Sequence, residues 1–428
     1  MLLAFGVFLS GVLINPMNPE RINKIVAADL FLVTGSLLFF LSSIDKYGIF
    51  SLKVHPNTRA IFLVLGAFLL WIFLSGVVAT FVYEQPFGVF TQTLANYSYG
   101  AVICFVLVAA SANPANARLF IIAYALGVVL VASFSAWAMF GEAPGWAYHG
   151  GGRIKSTTQS VNQLAAFVAP AIPLLLILSL GRAVSNSTTI FFLFTAGLAS
   201  LSLFGTGSRT ALALFVVSLC IVALAAILFR HSRSGLAFLI LGSCVAVTIG
   251  LVVLVIAFLE FGASALPSYL PSLARPLDRF LSPDSVEVSL GPRYDQLVAV
   301  SSRWVDYPIF GVGPGNFKSF MGSDFEVHNT YLGTLMETGA PSLLLLLFFQ
   351  MLVCIIALQV TIGHNEIDLR IRAFALASAF LIVSLYGMGS FGLRQRPFWI
   401  QAGFAIGVLN HYWLTLGIPQ KRAIRCSV

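Results

Sequence analysis

Twelve apolar runs, most of them long enough to cross a bilayer, constrain this chain more than any other feature of its sequence. A transmembrane helix needs about 20 apolar residues, and backbone amides in lipid must be hydrogen-bonded within their own segment, so each run is predicted to be helical. The chain is 58% hydrophobic and 9% charged, whereas about 25% of residues are charged in soluble domains. The runs cover residues 2–14, 25–44, 60–82, 97–112, 118–140, 162–180, 188–206, 209–230, 236–260, 330–362, 373–391 and 398–417.

The distribution of Lys and Arg predicts the orientation of these helices, because short cytoplasmic connections are rich in positive charge. With the N-terminus in the cytoplasm, the inner connections and the tail hold Lys46, Lys53, Arg59, Arg118, Arg182, Arg230, Arg233, Arg370, Arg372, Lys421, Arg422 and Arg425. We therefore predict three parts. Helices one to nine occupy residues 1–260, an outer loop occupies 261–328, and the last three helices with the basic tail occupy 329–428.

Several classes of site are absent from the sequence. Four of the five cysteines fall within apolar runs and one in the tail, so no disulfide is predicted. No zinc-ligand spacing, phosphate-binding loop or dinucleotide fingerprint is present, and the sequence predicts neither a metal nor a cofactor. The net charge of +8 is explained by membrane topology, and no continuous basic surface indicates a nucleic-acid partner.

Positive charge persists at several predicted outer positions, where it is normally scarce. Arg153 and Lys155 follow three glycines just before a helix start, which suits a phosphate but also fits a flexible, capped loop. Arg209 begins a helix after a very short outer turn, and an arginine there is costly unless it is paired or hydrated. A ligand-binding role is favoured for Arg209. Arg394 and Arg396 either share that role or extend to lipid headgroups.

The long outer loop ends in a segment that suggests proton transfer. Residues 291–305 predict an amphipathic helix that carries Arg293 and Arg303. His328 lies at the mouth of the tenth apolar run, where an imidazole can accept a proton near neutral pH, although a lone histidine is more often structural. Asn329 is placed to orient it or a ligand. Glu337, at a depth where a carboxylate is costly, is the alternative proton acceptor.

Taken in order, these segments resemble the O-antigen ligase and O-antigen polymerase superfamily of bacterial envelope glycosyltransferases. The resemblance covers the whole topology and is sharpest from Gly291 to Pro341. Its motifs are Arg293, Gly311-Val312-Gly313-Pro314-Gly315-Asn316-Phe317, His328-Asn329-Thr330-Tyr331-Leu332 and Glu337-Thr338-Gly339, with Gly207-Ser208-Arg209 and Asn162 before them. It implies an all-α, GT-C-like integral membrane protein with about 12 transmembrane helices. One larger periplasmic loop, containing short helices, would face outward from the bacterial inner membrane.

The resemblance also implies an activity. A glycan on undecaprenyl diphosphate is the donor, a second lipid-linked glycan or the lipid A core is the acceptor, and transfer is inverting and independent of metal. The implied catalytic residues are His328, Arg293 and Arg209. The implied substrate-binding residues are Arg153, Lys155, Asn329, Arg303 and Glu337. The lipid tail of the donor would lie against the apolar helices, among the membrane lipids.

Two questions remain open at the level of sequence. A polymerase and a ligase differ only in their acceptor, which the residues do not decide. A multi-pass transporter or a flippase of a lipid-linked glycan is the alternative function, with Asp29 as its clearest deep carboxylate. No internal repeat supports the transporter, and the charges concentrate at the outer face.

Overall fold

The computed structural model describes residues 1–12, 27–43, 54–141, 143–149, 153–261, 294–321 and 327–416. Its helices are α1 (Leu2–Leu9), α2 (Ala27–Ser42), α3 (Pro56–Val82), α4 (Phe87–Ala110), α5 (Pro114–Phe140), α6 (Val161–Val168), α7 (Ala171–Leu178), α8 (Asn186–Gly205), α9 (Arg209–Leu228), α10 (Ser234–Phe261), α11 (294–303), α12 (Phe317–Met321), α13 (Thr330–Gly363), α14 (Ile367–Tyr386) and α15 (Arg396–Leu416). Two-residue strands β1 (Tyr148–His149) and β2 (Arg153–Ile154) form an antiparallel pair. Short 3-10 helices cover Gly145–Ala147, Trp304–Asp306 and Gly392–Arg394.

The protein is an all-helical, multi-pass membrane protein, apart from the small strand pair. Each of the twelve apolar runs contains a helix, but the predicted count of twelve spans is not supported. Within the described residues, 8 helices are long and apolar enough to cross a membrane, with α6 and α7 counted together as Val161–Leu178. The others are α3, α4, α5, α8, α9, α13 and α14.

The shortfall in spans has physical reasons. Helix α1 has 8 residues and is about 12 Å long at 1.5 Å per residue, well short of a hydrocarbon core of about 30 Å. Helix α2 has 16 residues. Helix α15 is long enough, but Arg396 at its start and the buried Gln401 and Asn410 make it more polar than the others.

Small residues let α15 pack directly against α4 at the centre of the bundle. A methyl group added to Gly100 would lie 2.2 Å from the indole nitrogen of Trp399, and one added to Gly403 would lie 3.0 Å from Leu107. Trp399 is fully buried. Close approach at small residues is the usual way in which membrane helices gain packing energy, because lipid provides no hydrophobic drive between them. This contact fixes the position of α15 and of the segment that precedes it.

Helix α13 is bent at the point where the sequence requires it. Gly339 has φ 80° and ψ 174°, and Pro341 follows inside the same helix. Proline has no backbone N–H to donate to the carbonyl four residues earlier, which is that of Glu337. The helix therefore exposes backbone groups around residues 336–340, and other segments must satisfy them.

The orientation can be tested with two exposed serines on opposite ends of the bundle. Ser187 lies in the first turn of α8 and Ser301 lies in α11, and both are exposed. In a background without native cysteines, we expect a membrane-impermeant thiol reagent to label Ser301→Cys in intact spheroplasts. Ser187→Cys should be labelled only after the membrane is permeabilised. The reverse pattern would invert the topology drawn from the charge rule.

Candidate functional site

The strand pair places Arg153 against the turn that precedes Arg209. The Nε of Arg153 donates a hydrogen bond to the carbonyl of Thr206 at 2.9 Å. The side chain of Ile154 is buried and lies 3.0 Å from the position of a methyl group on Gly205. The outer segment between α5 and α6 is therefore fixed to the end of α8. Two of the predicted positive residues thus lie on segments that contact each other.

Helix α9 begins at Arg209, directly after a tight turn. Ser208 caps the helix by accepting a hydrogen bond from the backbone N–H of Ala211 at 3.4 Å, and Gly207 has φ 57°. A left-handed residue at this turn favours glycine. The guanidinium of Arg209 is attached at the N-terminus of the helix, where the dipole also favours anions. This geometry suits the binding of an anionic ligand.

A third outer segment, residues 387–392, joins the start of α9 to the start of α13. A methyl group on Gly389 would lie 2.4 Å from Oγ1 of Thr210, so the two backbones are in close contact. Thr330 donates from its backbone N–H to the carbonyl of Gly387 at 2.7 Å and from its hydroxyl to that of Ser390 at 2.8 Å. Thr330, which follows His328 and Asn329, is thereby connected through residues 387–392 to Thr210, which follows Arg209.

His328 lies at the exposed mouth of α13, next to α11. Its backbone N–H donates to Oε1 of Gln296 at 3.3 Å, so the helix that follows Arg293 is held beside it. Asn329 serves as the N-cap of α13, because its Oδ1 accepts from the N–H groups of Tyr331 and Leu332 at 2.9 and 3.0 Å. The amide oxygen of Asn329 is committed to the helix, while the His328 residue remains exposed.

Glu337 is almost fully buried two turns into α13, and its carboxylate is bound from two directions. The backbone N–H of Gly315 donates to Oε2 at 2.9 Å. Arg394 donates to Oε1 and Oε2 at 3.2 and 3.3 Å, and its guanidinium carbon lies 4.6 Å from the ring centre of Phe391. A buried carboxylate is stable when paired and hydrogen-bonded in this way.

The glycine-rich turn supplies the backbone partners that the bend in α13 leaves without helical bonds. The N–H of Val312 donates to the carbonyl of Met336 at 2.9 Å, and that of Gly313 donates to the carbonyl of Glu337 at 2.8 Å. In return, Ala340 donates to the carbonyl of Pro308 at 2.9 Å. Gly311, like Gly313 and Gly315, has positive φ. The turn is a backbone clamp on the bend, and Gly315 is the residue that reaches the carboxylate.

Helix α3 completes this clamp from the membrane side. The indole N–H of Trp71 donates to the carbonyl of Thr338 at 3.1 Å, and its ring stacks on Phe310 with centroids 5.2 Å apart. The hydroxyl of Ser75 donates to the carbonyls of Phe310 and Glu337. Helix α3 and the glycine-rich turn, two segments far apart in the chain, therefore hold the backbone of residue 337 in one position.

A second ion pair accounts for Arg396 and Asp29. The Nε of Arg396 donates to Oδ1 of Asp29 at 2.6 Å, a second guanidinium nitrogen donates to Oδ2, and the hydroxyl of Tyr99 also donates to Oδ1 at 2.6 Å. Arg394 and Arg396 are thus paired with carboxylates of the protein, which neither of the two sequence interpretations, ligand binding or extension to lipid headgroups, had included. Asp29 lies near the start of α2, and its carboxylate is bound by Arg396 and Tyr99.

The remaining predicted site residues, Lys155, Arg303 and Arg293, do not all lie with the segments of Arg153, Arg209 and His328. Lys155 lies at the base of the strand pair, with its backbone N–H bonded to the carbonyl of Ala147 at 2.9 Å. Arg303 is exposed at the end of α11, with its guanidinium 5.7 Å from the ring centre of Phe320. Arg293 lies outside the described residues. The structure brings the segments of Arg153, Arg209 and His328 together, whereas Arg303 contacts an aromatic ring instead.

Removal of Arg394 should destabilise the protein because it leaves a buried carboxylate without its cation. The side chain of Arg394 is 23% exposed and that of Glu337 is 5% exposed. We expect Arg394→Ala to cost about 3 kcal/mol, the lower end of the range for breaking a buried pair. Thermal melting of the detergent-purified protein measures this loss. The double variant Arg394→Gln/Glu337→Gln should recover part of it, and an equal loss in both variants would contradict the pairing.

The sequence comparison adds a family to this geometry. A model of the Wzy_C family, described as O-Antigen ligase, matches residues 194–347. This chain carries a Wzy_C O-antigen ligase domain. The match contains six of the predicted site residues, namely Arg209, Arg293, Arg303, His328, Asn329 and Glu337, and the glycine-rich clamp. No curated protein matches the chain.

The Wzy_C domain begins within α8 and ends within α13, so it includes the bend and the glycine-rich turn but excludes Arg394. Sequence reasoning named Glu337 and Arg394 separately and did not predict their pairing. The sequence did contain one indication of this pairing. Each residue is an unusual charge within or next to an apolar run, and such charges tend to pair with one another.

Proposed function

We propose that the protein transfers a glycan from undecaprenyl diphosphate to an acceptor hydroxyl at the periplasmic face of the bacterial inner membrane. The observation that carries this proposal is the continuous contact of the segments of Arg153, Arg209 and His328 at one end of the bundle. The Wzy_C domain supports a glycan transfer of the ligase or polymerase type.

The proposed reaction is a single displacement at the anomeric carbon. The acceptor oxygen attacks that carbon, the bond to the diphosphate oxygen breaks, and the configuration inverts. His328 takes the proton from the acceptor hydroxyl. Undecaprenyl diphosphate leaves with one additional negative charge, which Arg209 and Arg293 stabilise as guanidinium donors without a metal ion. Arg153, Lys155 and Arg303 are proposed to bind outer phosphate or sugar groups.

Glu337 is proposed to position other groups rather than to accept the proton. Both of its carboxylate oxygens already accept hydrogen bonds, from Gly315 and Arg394. A base must lie within hydrogen-bond reach of the hydroxyl that it deprotonates, and a buried, bidentate carboxylate is poorly placed for that. Its role is to hold the glycine-rich turn against α13, about two turns below Asn329, the N-cap of that helix.

The decisive experiment follows the size of the product. Protein in liposomes is incubated with an undecaprenyl-diphosphate-linked repeat unit, either alone or together with lipid A core. A ladder of longer lipid-linked glycans from the donor alone identifies a polymerase. Glycan attached to lipid A only in the mixture identifies a ligase. Movement of an unchanged donor across the liposome membrane, with no new glycosidic bond, would instead identify a flippase and exclude the proposal.

A further inference from the structure

A cavity of about 380 Å³ lies between helix ends on the side opposite to the candidate site. Its walls come from the end of α4, the starts of α5, α8 and α14, and the end of α15. The charge rule places all of these helix ends in the cytoplasmic half of the membrane. The volume lies within the range of small-molecule and cofactor sites, about 300–1,000 Å³.

The cavity is apolar along its length and positively charged at its rim. Apolar side chains that line it include Leu178, Phe192, Leu376 and Phe404. The guanidinium-bearing residues that line it are Arg118, in the first turns of α5, and Arg372, in the first turns of α14. The apolar lining suits an acyl chain, and the two arginines suit a phosphate group.

Several arginines lie near the same predicted membrane face, and Arg118 and Arg372 are the two that line this cavity. Within the part of the chain that the structure describes, the side chains of Arg118 and Arg372 take part in no hydrogen bond or ion pair, and the exposed side chain of Arg59 is alike in this but does not line the cavity. Their neighbour Arg370 donates to the carbonyl of Thr361 at 2.6 Å. Two such cations on one apolar cavity indicate an anionic occupant, because positive charge at the edge of a membrane is stabilised by an anion or by water.

An acidic residue in the first turn of α14, Asp368, is engaged by backbone N–H groups. Asp368 precedes Arg372 by one helical turn, and its Oδ1 and Oδ2 accept from the N–H groups of Arg182 and Ala183 at 2.7 and 3.2 Å. This carboxylate fixes the start of α8 beside the cavity. Within the described residues, Asp368 is thus engaged by backbone N–H groups and not by the guanidinium of Arg118 or Arg372.

We propose that this cavity binds one anionic phospholipid of the cytoplasmic leaflet. Its phosphate lies between Arg118 and Arg372, and an acyl chain lies against the apolar wall. Charge complementarity selects this occupant. The headgroup of a neutral lipid would not neutralise the charge of two arginines. The chain's own C-terminal residues are also unsuitable, because Lys421, Arg422 and Arg425 are positively charged like the arginines of the cavity. The site is separate from the proposed glycan-transfer site and does not depend on that function.

Lipid retention measured by native mass spectrometry tests the proposal. The full chain is purified in detergent and titrated with dioleoyl phosphatidylglycerol or dioleoyl phosphatidylcholine. We expect one tightly retained phosphatidylglycerol and no comparable phosphatidylcholine. Each arginine near a membrane surface contributes about 1 kcal/mol to anionic lipid binding. Arg118→Gln and Arg372→Gln should therefore each weaken retention about 5-fold, and the double variant about 30-fold.

Two further variants distinguish the effect of the arginine charges on lipid retention from the effect of the cavity itself. Arg59→Gln/Arg230→Gln removes the same charge from the same predicted membrane face, from exposed residues that do not line the cavity, and should retain the lipid. Ala117→Phe fills the cavity without changing charge and should weaken retention. Equal retention of both lipids, or equal loss in the two double variants, would overturn the proposal. Competition by inorganic phosphate alone would show a simple anion site and would also overturn it. If the double variant of Arg118 and Arg372 does not fold, lipid retention in the two single variants tests the proposal.

Discussion

Arg209→Ala is expected to lower glycan transfer by about 10²-fold or more while the protein still inserts and folds. Removing one preorganised donor to a developing negative charge typically costs 10²–10³-fold in rate. Arg209 occupies the first position of α9, where its charge and the helix dipole would both favour the proposed diphosphate. Transfer is measured as the rate of appearance of product in liposomes that contain the lipid-linked donor.

A matched arginine on the same stretch of chain controls for charge and folding. Arg230 follows the opposite end of α9 and is exposed, so Arg230→Ala should leave transfer unchanged. Arg209→Lys should restore little activity if the contact with the diphosphate is bidentate, because an ammonium group cannot reproduce the planar pair of donors. Full activity in Arg209→Ala would remove this residue from the diphosphate site and would leave the family assignment in place.

The helices were the most predictable part of the molecule. Long apolar runs require helices in lipid, and each of the twelve runs contains one. The number of spans was less predictable, because crossing depends on the full length and polarity of a helix. The first run gives a helix of only 8 residues, and the last gives a helix of 21 residues with buried polar side chains. Periodicity also predicted α11, which the structure describes from residue 294.

The contacts within the site were less predictable, because they join residues that are distant in sequence. Arg394 and Glu337 are 57 positions apart, and Arg396 and Asp29 are 367 positions apart. A sequence shows that each of these charges is unusual in its segment, but the partner is determined by helix packing. The glycine-rich turn illustrates the same limit. Its glycines indicate close backbone approach, yet only the structure identifies the bend at Gly339 and Pro341 as the surface approached.

The fixed backbone around Glu337 gives His328 a rigid support. The bend is held by the glycine-rich turn and by α3, and the mouth of α13 is held by Thr330 through residues 387–392. A group that transfers a proton must be placed to within a fraction of an ångström of its reacting partner. His328 is exposed at the end of this supported helix, which allows an acceptor hydroxyl to approach it from outside the bundle.

His328→Ala is expected to lower transfer by about 10²–10⁴-fold, the usual contribution of general acid–base catalysis. Donor binding should persist, because the arginines hold the diphosphate, and a photoreactive lipid-linked donor measures it directly. The wild-type rate should fall at acidic pH, since a protonated imidazole cannot accept the proton of the acceptor hydroxyl. His231→Ala, at an exposed position on the predicted cytoplasmic side, serves as the matched control.

The competing role for His328 is hydrogen bonding to the sugar or to a phosphate. His328→Gln separates the two roles, because an amide can donate and accept hydrogen bonds but does not take up a proton at neutral pH. If His328 is the base, the Gln variant should be nearly as inactive as the Ala variant, and the acidic loss of rate should disappear from its residual activity. A Gln variant that keeps most of the wild-type rate would exclude the base. Because the carboxylate of Glu337 is held by Gly315 and Arg394, Glu337→Gln should then change stability more than it changes the pH profile.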